Sequence, residues 1–176
     1  MKATTLLVAC ALLSLNFKTI AVNKTFNLTQ LLSNPNFTVA VSSNGKYNGK
    51  SVLLTIESKN LSDIALQIPE GTLFLPANES EQTLVAPRKQ EMIVYKNKPN
   101  NFLVYGFCTE ASDRCPTEYD DFTVAMNKNE QLTQLLNFFK SNQGIQKNTI
   151  QEAIWCITDN ESISNIYSEN EELNKK

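Results

Sequence analysis

The chain has 176 residues, 41% of them hydrophobic, with 16 lysines and arginines against 18 acids and a net charge of −2, which suits one globular domain burying about two thirds of its unfolded surface. Acids and bases are interspersed over most of the length, so no basic stripe offers a footprint for nucleic acid or anionic lipid. Histidine is absent, which removes Ser-His-Asp and Cys-His catalysis together with histidine-bearing zinc, iron and copper sites.

Lys2 precedes an apolar run from Ala3 to Leu15, and small residues follow at Thr19 and Ala21. This is the pattern of a cleaved export signal over residues 1–21, and the apolar run is too short to cross the ~30 Å hydrocarbon core. The mature chain is therefore expected to be secreted, periplasmic or held at a cell surface. Leu7-Val8-Ala9-Cys10 also has the form of a lipoprotein processing box, with Cys10 as the lipidated residue. No second long apolar run follows, so no membrane span is expected. A single domain over residues 22–168 precedes a polar tail, 169–176. Asn-x-Ser/Thr triplets begin at Asn23, Asn27, Asn36, Asn60, Asn78 and Asn160, which a eukaryotic secretory pathway would read as glycan acceptors.

Between Phe37 and Cys108 the apolar residues recur at every second position in short runs, the period of half-buried strands. Phe37, Val39 and Val41 alternate, then Asn44-Gly45 marks a hairpin because both residues tolerate positive φ. A second strand runs through Val52, Leu54 and Ile56, and a third through Ile64, Leu66 and Ile68. Pro69-Glu70-Gly71 forms a turn, with proline fixing one dihedral and glycine accepting the other. Thr72–Leu75, Gln82–Ala86, Glu91–Lys96 and Phe102–Cys108 bring the total to about seven strands, the number and spacing of an immunoglobulin-like antiparallel β-sandwich.

After Asp121 the period lengthens. Leu132, Leu135, Leu136 and Phe139 make a helical stripe over part of residues 127–167, opened by Asn127-x-x-Glu130 as a capping box and closed near Gly144. A second helix is predicted to start at Asn148, with Gln151 in the reciprocal capping position and Ile150, Ala153, Ile154 and Ile157 on one face. A short third helix is predicted through Ile163, Ile166 and Tyr167. Two or three such helices need the sheets to bury their apolar stripes.

Removal of Cys10 leaves Cys108, Cys115 and Cys156, an odd number for an exported protein. Cys108 and Cys115 are disulfide candidates, since a bridge between them would staple the connection after the last strand and stabilise by roughly 2–3 kcal/mol. Cys108 with Cys156 is the alternative pairing. A leftover Cys156 has no basic neighbour to lower its pKa and reads as a small buried hydrophobe. The acids Asp113, Glu118, Asp120 and Asp121 make a loop with the hard oxygen ligands calcium takes, though without EF-hand spacing. Tyr95, Tyr105, Phe107 and Tyr119 are candidates for a protein or carbohydrate contact patch.

Ile150-Gln151-Glu152-Ala153-Ile154-Trp155 resembles the hydrophobic-Gln-x-Ala-hydrophobic-Trp element of thioester domains in bacterial surface adhesins. The resemblance covers these six residues and one upstream cysteine. In that family the glutamine condenses with the cysteine, and the thioester captures a host nucleophile covalently. The resemblance implies Gln151 as the acyl donor and Cys108, preceded by Phe107, as the thiol. The chain accordingly reads as an exported, non-enzymatic β-sandwich module for binding or structural interaction with a protein or carbohydrate surface. Covalent capture through Cys108 and Gln151 is the alternative, and a hydrolase using acidic residues alone is the third reading. None of the three calls for a cofactor, a resident metal or a nucleic-acid partner.

Overall fold

The computed structural model describes residues 24–166. The expected leader over 1–21, Cys10, Asn23, Tyr167 and the polar tail 169–176 lie outside the described residues.

The described chain begins with strand β1 (Thr25–Asn27) and helix α1 (Leu28–Leu32), which sequence periodicity does not reveal because each is too short to complete a pattern. Asn27 starts the helix by accepting from the Gln30 N–H at 2.8 Å, while Gln30 Oε1 accepts from the Asn27 N–H at 2.8 Å. This reciprocal cap satisfies two otherwise orphaned donors. Leu28 and Leu31 then turn into the core.

The seven expected strands all form: β2 (Phe37–Asn44), β3 (Asn48–Ser58), β4 (Ile64–Ile68), β5 (Thr72–Pro76), β6 (Leu84–Val85), β7 (Gln90–Val94) and β8 (Pro99–Cys108). An additional strand, β9 (Glu118–Met126), follows them. β1, β4 and β7 make a small sheet, with β1 parallel to β4 and β7 antiparallel to it. The other six close into a barrel in the order β2-β3-β8-β6-β5-β9.

The protein is thus mainly β with helices at its C-terminal side, but the immunoglobulin-like sandwich is not what forms. A sandwich leaves edges on both sheets, whereas β9 pairs with β2 at Ser42↔Asp121 and with β5 over Thr72↔Met126 to Pro76↔Phe122. That double pairing removes the edges. The segment reads as an acidic loop in sequence because Glu118, Asp120 and Asp121 crowd its start. Its inward side is carried by Phe122, buried, and Val124, partly buried against the core.

Val41, Val52, Leu54, Ile56, Phe74, Leu84 and Val104 share one core with Leu28, Leu31, Ile64, Leu66 and Ile68, so the small sheet and α1 pack on the barrel and not apart from it. Gly71, at φ +77°, completes the expected turn, with the Thr72 N–H donating to the Pro69 carbonyl at 3.3 Å. A side chain is strained at that φ, and the turn is what carries the chain from the small sheet into the barrel.

Helices α2 (Glu130–Ser141) and α3 (Lys147–Thr158) form a second apolar cluster, with Leu132, Leu136, Phe139, Ile150, Ala153 and Ile154 packed on Val85 and Phe107. They lie over β6 and β8 on the outside of the barrel. Both start points differ from expectation. Asn129, not Asn127, caps α2 by accepting from the Leu132 N–H at 3.1 Å, and Asn127 instead donates to the Asn129 carbonyl at 3.1 Å and Thr133 Oγ1 at 3.0 Å. α3 begins before Asn148, after Gln146, with no side-chain cap. The third helix is reduced to a 3-10 turn, Ile163–Asn165.

Candidate functional site

Cys108 is the last residue of β8, and strand alternation decides which way its side chain points. Val104 and Cys108 belong to the barrel core, whereas Phe107 turns outward and is buried beneath the helices. Gly106 lies between them on the inward side, where the wall is closest: a Cβ there would stand 2.8 Å from Ser51 Oγ.

Gln151 projects from α3, whose packing through Ile150 and Ile154 sets that helix against the end of β8. It is 2% exposed. Its Oε1 accepts from the Cys108 N–H at 3.1 Å, and its Nε2 donates to the Cys108 carbonyl at 2.7 Å. The same N–H also reaches the Tyr47 carbonyl at 2.9 Å. Two hydrogen bonds to one residue fix the carboxamide in position and in plane. The capping role expected for Gln151 is therefore not the one it plays: its side chain is spent on Cys108.

The sulfur has a second glutamine as partner. Cys108 Sγ–H donates to Gln82 Oε1 across 2.6 Å, and Gln82 is 4% exposed. Gln82 Nε2 in turn donates to the Glu110 carbonyl at 2.5 Å, and the Gln82 N–H to the Arg114 carbonyl at 2.9 Å. Burial pushes the Cys108 thiol far above its usual pKa, with Cys115 and Glu110 adding to the effect, so the sulfur is held as a neutral thiol. Glu110 is also shifted up by burial, while its oxygens accept from the Thr83 N–H at 2.8 Å and the Thr109 hydroxyl at 2.6 Å.

Trp155 sits one helical turn beyond Gln151 and packs against the barrel core, with Tyr47 stacked on it at 6.2 Å and 15°. Its Nε1 is the one buried side-chain polar atom without a hydrogen-bond partner among the described residues. Trp155, Ala111, Glu152 and Glu161 line a cavity of about 280 Å³. A second cavity, about 230 Å³, includes Phe107, Ile150, Tyr105 and Arg88 in its walls. Phe107 and Ile150, chain neighbours of Cys108 and Gln151, thus face the second cavity, and Glu152 faces the first.

The remaining candidates do not gather. Cys108, Cys115 and Cys156 all carry free thiols, so neither the Cys108–Cys115 nor the Cys108–Cys156 bridge is present, and Cys115 Sγ instead meets the Pro116 carbonyl at 3.6 Å. The expected calcium loop is divided, since Glu118, Asp120 and Asp121 belong to β9 and Asp120 accepts from the Thr117 N–H and hydroxyl. No cluster of three or more acids and thiols able to hold a metal occurs among the described residues. Of the aromatic candidates, Tyr95, Tyr105 and Tyr119 are exposed, but Phe107 is core. Gln82 escaped sequence reasoning because no motif or spacing marks it: its role depends on where the loop after β8 returns. No protein-family model, curated protein or solved structure matches the chain.

Proposed function

We propose that this protein is an exported covalent-attachment module, in which Cys108 and Gln151 condense into an internal thioester that then acylates a nucleophile on a partner surface. The observation that carries the reading is that the buried Gln151 carboxamide is hydrogen-bonded to the backbone N–H and carbonyl of the buried Cys108, across a sequence separation of 43 residues. In forming the thioester, Cys108 Sγ attacks Gln151 Cδ. The Sγ–Cδ bond forms, the Cδ–Nε2 bond breaks, and the thiol proton leaves with the nitrogen as ammonia. In the capture step an amine or hydroxyl attacks Cδ, the Cys108 thiol is released, and the partner stays bound to Gln151 through a new acyl bond. The backbone tether keeps the two residues adjacent, so the reaction is intramolecular once the Cys108 side chain turns toward Gln151. Burial excludes water from the acyl carbon. A capping glutamine or a glutamine facing solvent would support neither step.

The test is intact mass of the purified, unreduced protein. The thioester form weighs about 17 Da less than its sequence demands, and methylamine adds about 31 Da to it while freeing one thiol. Cys108→Ala and Gln151→Ala should each carry their full sequence mass. A wild-type protein at full mass would reduce the pairing to a structural tether, leaving a binding module that works without a covalent bond.

A further inference from the structure

We infer that the second cavity, between the barrel and the start of α3, binds a small carboxylate whose body is an apolar chain of about eight carbons. The inference goes beyond the thioester reading and stands whether or not that bond forms. The floor of the cavity is apolar, since Pro87, Phe107 and Ile150 are buried and Ile145 is half-buried. Tyr105 makes one wall, and its backbone is locked to a neighbouring side chain: Gln90 Nε2 donates to the Tyr105 carbonyl at 2.9 Å, and Gln90 Oε1 accepts from the Tyr105 N–H at 2.8 Å. That wall is therefore built before a ligand arrives, and its amides are occupied with each other. Rings and alkyl groups are left to meet the ligand body. The volume, about 230 Å³, is the liquid volume of roughly eight waters. It falls below the ~300–1,000 Å³ of sites for drug-sized ligands and suits a shorter chain.

Charge selects the head group. Arg88, Lys89 and Lys147 stand in the walls and no acid does, in a chain where acids outnumber bases by 18 to 16. The first cavity has the opposite character, with Glu152 and Glu161 in its walls. Of the three cations, Lys89 is paired with Glu91 at 2.9 Å. Arg88 donates to the Phe139 and Asn142 carbonyls at 3.1 and 2.8 Å, which holds the guanidinium in place and leaves its charge uncancelled. Lys147 pairs with none of the described acids. Its stem lies over Gly49, where a Cβ would stand 3.3 Å from Lys147 Cδ and 3.4 Å from Nζ, so the missing side chain of that glycine leaves the room the lysine occupies. Lys147 is thus the partner of the carboxylate, because it gives up no ion pair to reach one, while Arg88 supplies a fixed positive potential behind it. An ammonium head is repelled by the same cations, and a neutral alcohol gains little from them.

The experiment titrates isotope-labelled protein at about pH 7, where a carboxylate is ionised, with octanoate, 1-octanol and octylammonium, and follows the backbone amide resonances. The octanoate titration is repeated on Lys147→Glu and Lys147→Arg, each melted to establish folding. Octanoate should move the amides of Phe107, Ile145 and Ile150 and bind about tenfold more tightly than octanol or octylammonium. Lys147→Glu should weaken octanoate about tenfold, and Lys147→Arg should stay within about twofold of wild type. Octanol or octylammonium binding as tightly as octanoate would overturn the inference, as would wild-type affinity in Lys147→Glu. Shifts confined to the cavity beside Trp155, or no saturable shift up to about 10 mM octanoate, would overturn it too. Should Lys147→Glu not fold, the comparison of octanoate with octanol on wild type decides alone. Every readout lies at the cavity, so a protein at full sequence mass leaves this inference standing, and its failure leaves the thioester reading standing.

Discussion

Ser51 cannot retreat from a side chain placed at Gly106, because Ser51 is buried and its hydroxyl donates to the Gly106 carbonyl at 2.9 Å. A methyl there also meets Val52 Cγ2 at 3.2 Å and Leu84 Cβ at 3.3 Å. Gly106→Ala is therefore expected to destabilise by about 1–3 kcal/mol, the range for overpacking a tight wall, seen as a lower denaturant midpoint. It should also reduce the yield of the proposed thioester, since the strand that shifts is the one carrying Cys108. An unchanged midpoint would show that the barrel has slack at this end. The string of six residues around Gln151 pointed to that glutamine, and the structure sets its carboxamide against the Cys108 backbone. What the string could not reveal is which task the glutamine performs: the spacing that suggests a capping box from Asn148 is equally open to a side chain aimed at a strand. Gln82 was invisible for a different reason, since its partners, the carbonyls of Glu110 and Arg114, come from a loop whose path no local pattern encodes.

Helix α2 is tied to the turn between β4 and β5 by Lys140, whose Nζ donates to Glu70 Oε1 at 2.9 Å. That hydrogen bond is the main cause holding the Glu70 carboxyl below its ordinary pKa. The folded protein therefore keeps Glu70 ionised at pH values where the unfolded chain begins to protonate it. The stabilisation is complete above the unfolded carboxylate pKa, about 4.3, and disappears as pH falls through the lower folded value. Lys140 is largely exposed, so the contribution is at most about 1 kcal/mol. Melting Glu70→Gln beside wild type should show a small deficit at pH 7 that shrinks as the pH falls below the unfolded carboxylate value; a deficit that stays the same size in acid would assign the loss to something other than charge. Element existence was readable where the apolar period was regular, as in eight-residue β2, ten-residue β8 and the twelve-residue helices. Boundaries were not, because several asparagines near the start of α2 compete as caps and only packing of Leu132 and Leu136 selects Asn129.

For the whole molecule, the decisive strand is the one that sequence conceals. β9 joins β2 to β5, and its Phe122 ring lies 6.3 Å from Phe74 inside the barrel. Phe122→Ala removes that packing from a site with little room to collapse and should destabilise by about 3 kcal/mol or more, measured by denaturant unfolding. A loss below about 1 kcal/mol would mean that closure contributes little to the barrel. Strand periodicity announces how each segment is buried, but not which segment it lies beside, and this is why an open sandwich and a closed barrel look alike until β9 is placed. The location of the pair on two different layers has one further consequence. Cys108 ends a barrel strand and Gln151 rides on a helix, so the acyl bond would act as a stitch between barrel and helical layer. Under the proposed function, capture of a partner would cut that stitch and shift the burden to α3. A pull on Gln151 would then reach the barrel through packed apolar side chains and the bond from the Ala111 N–H to Asp159, so the proposed device would be a fastener that is looser after use.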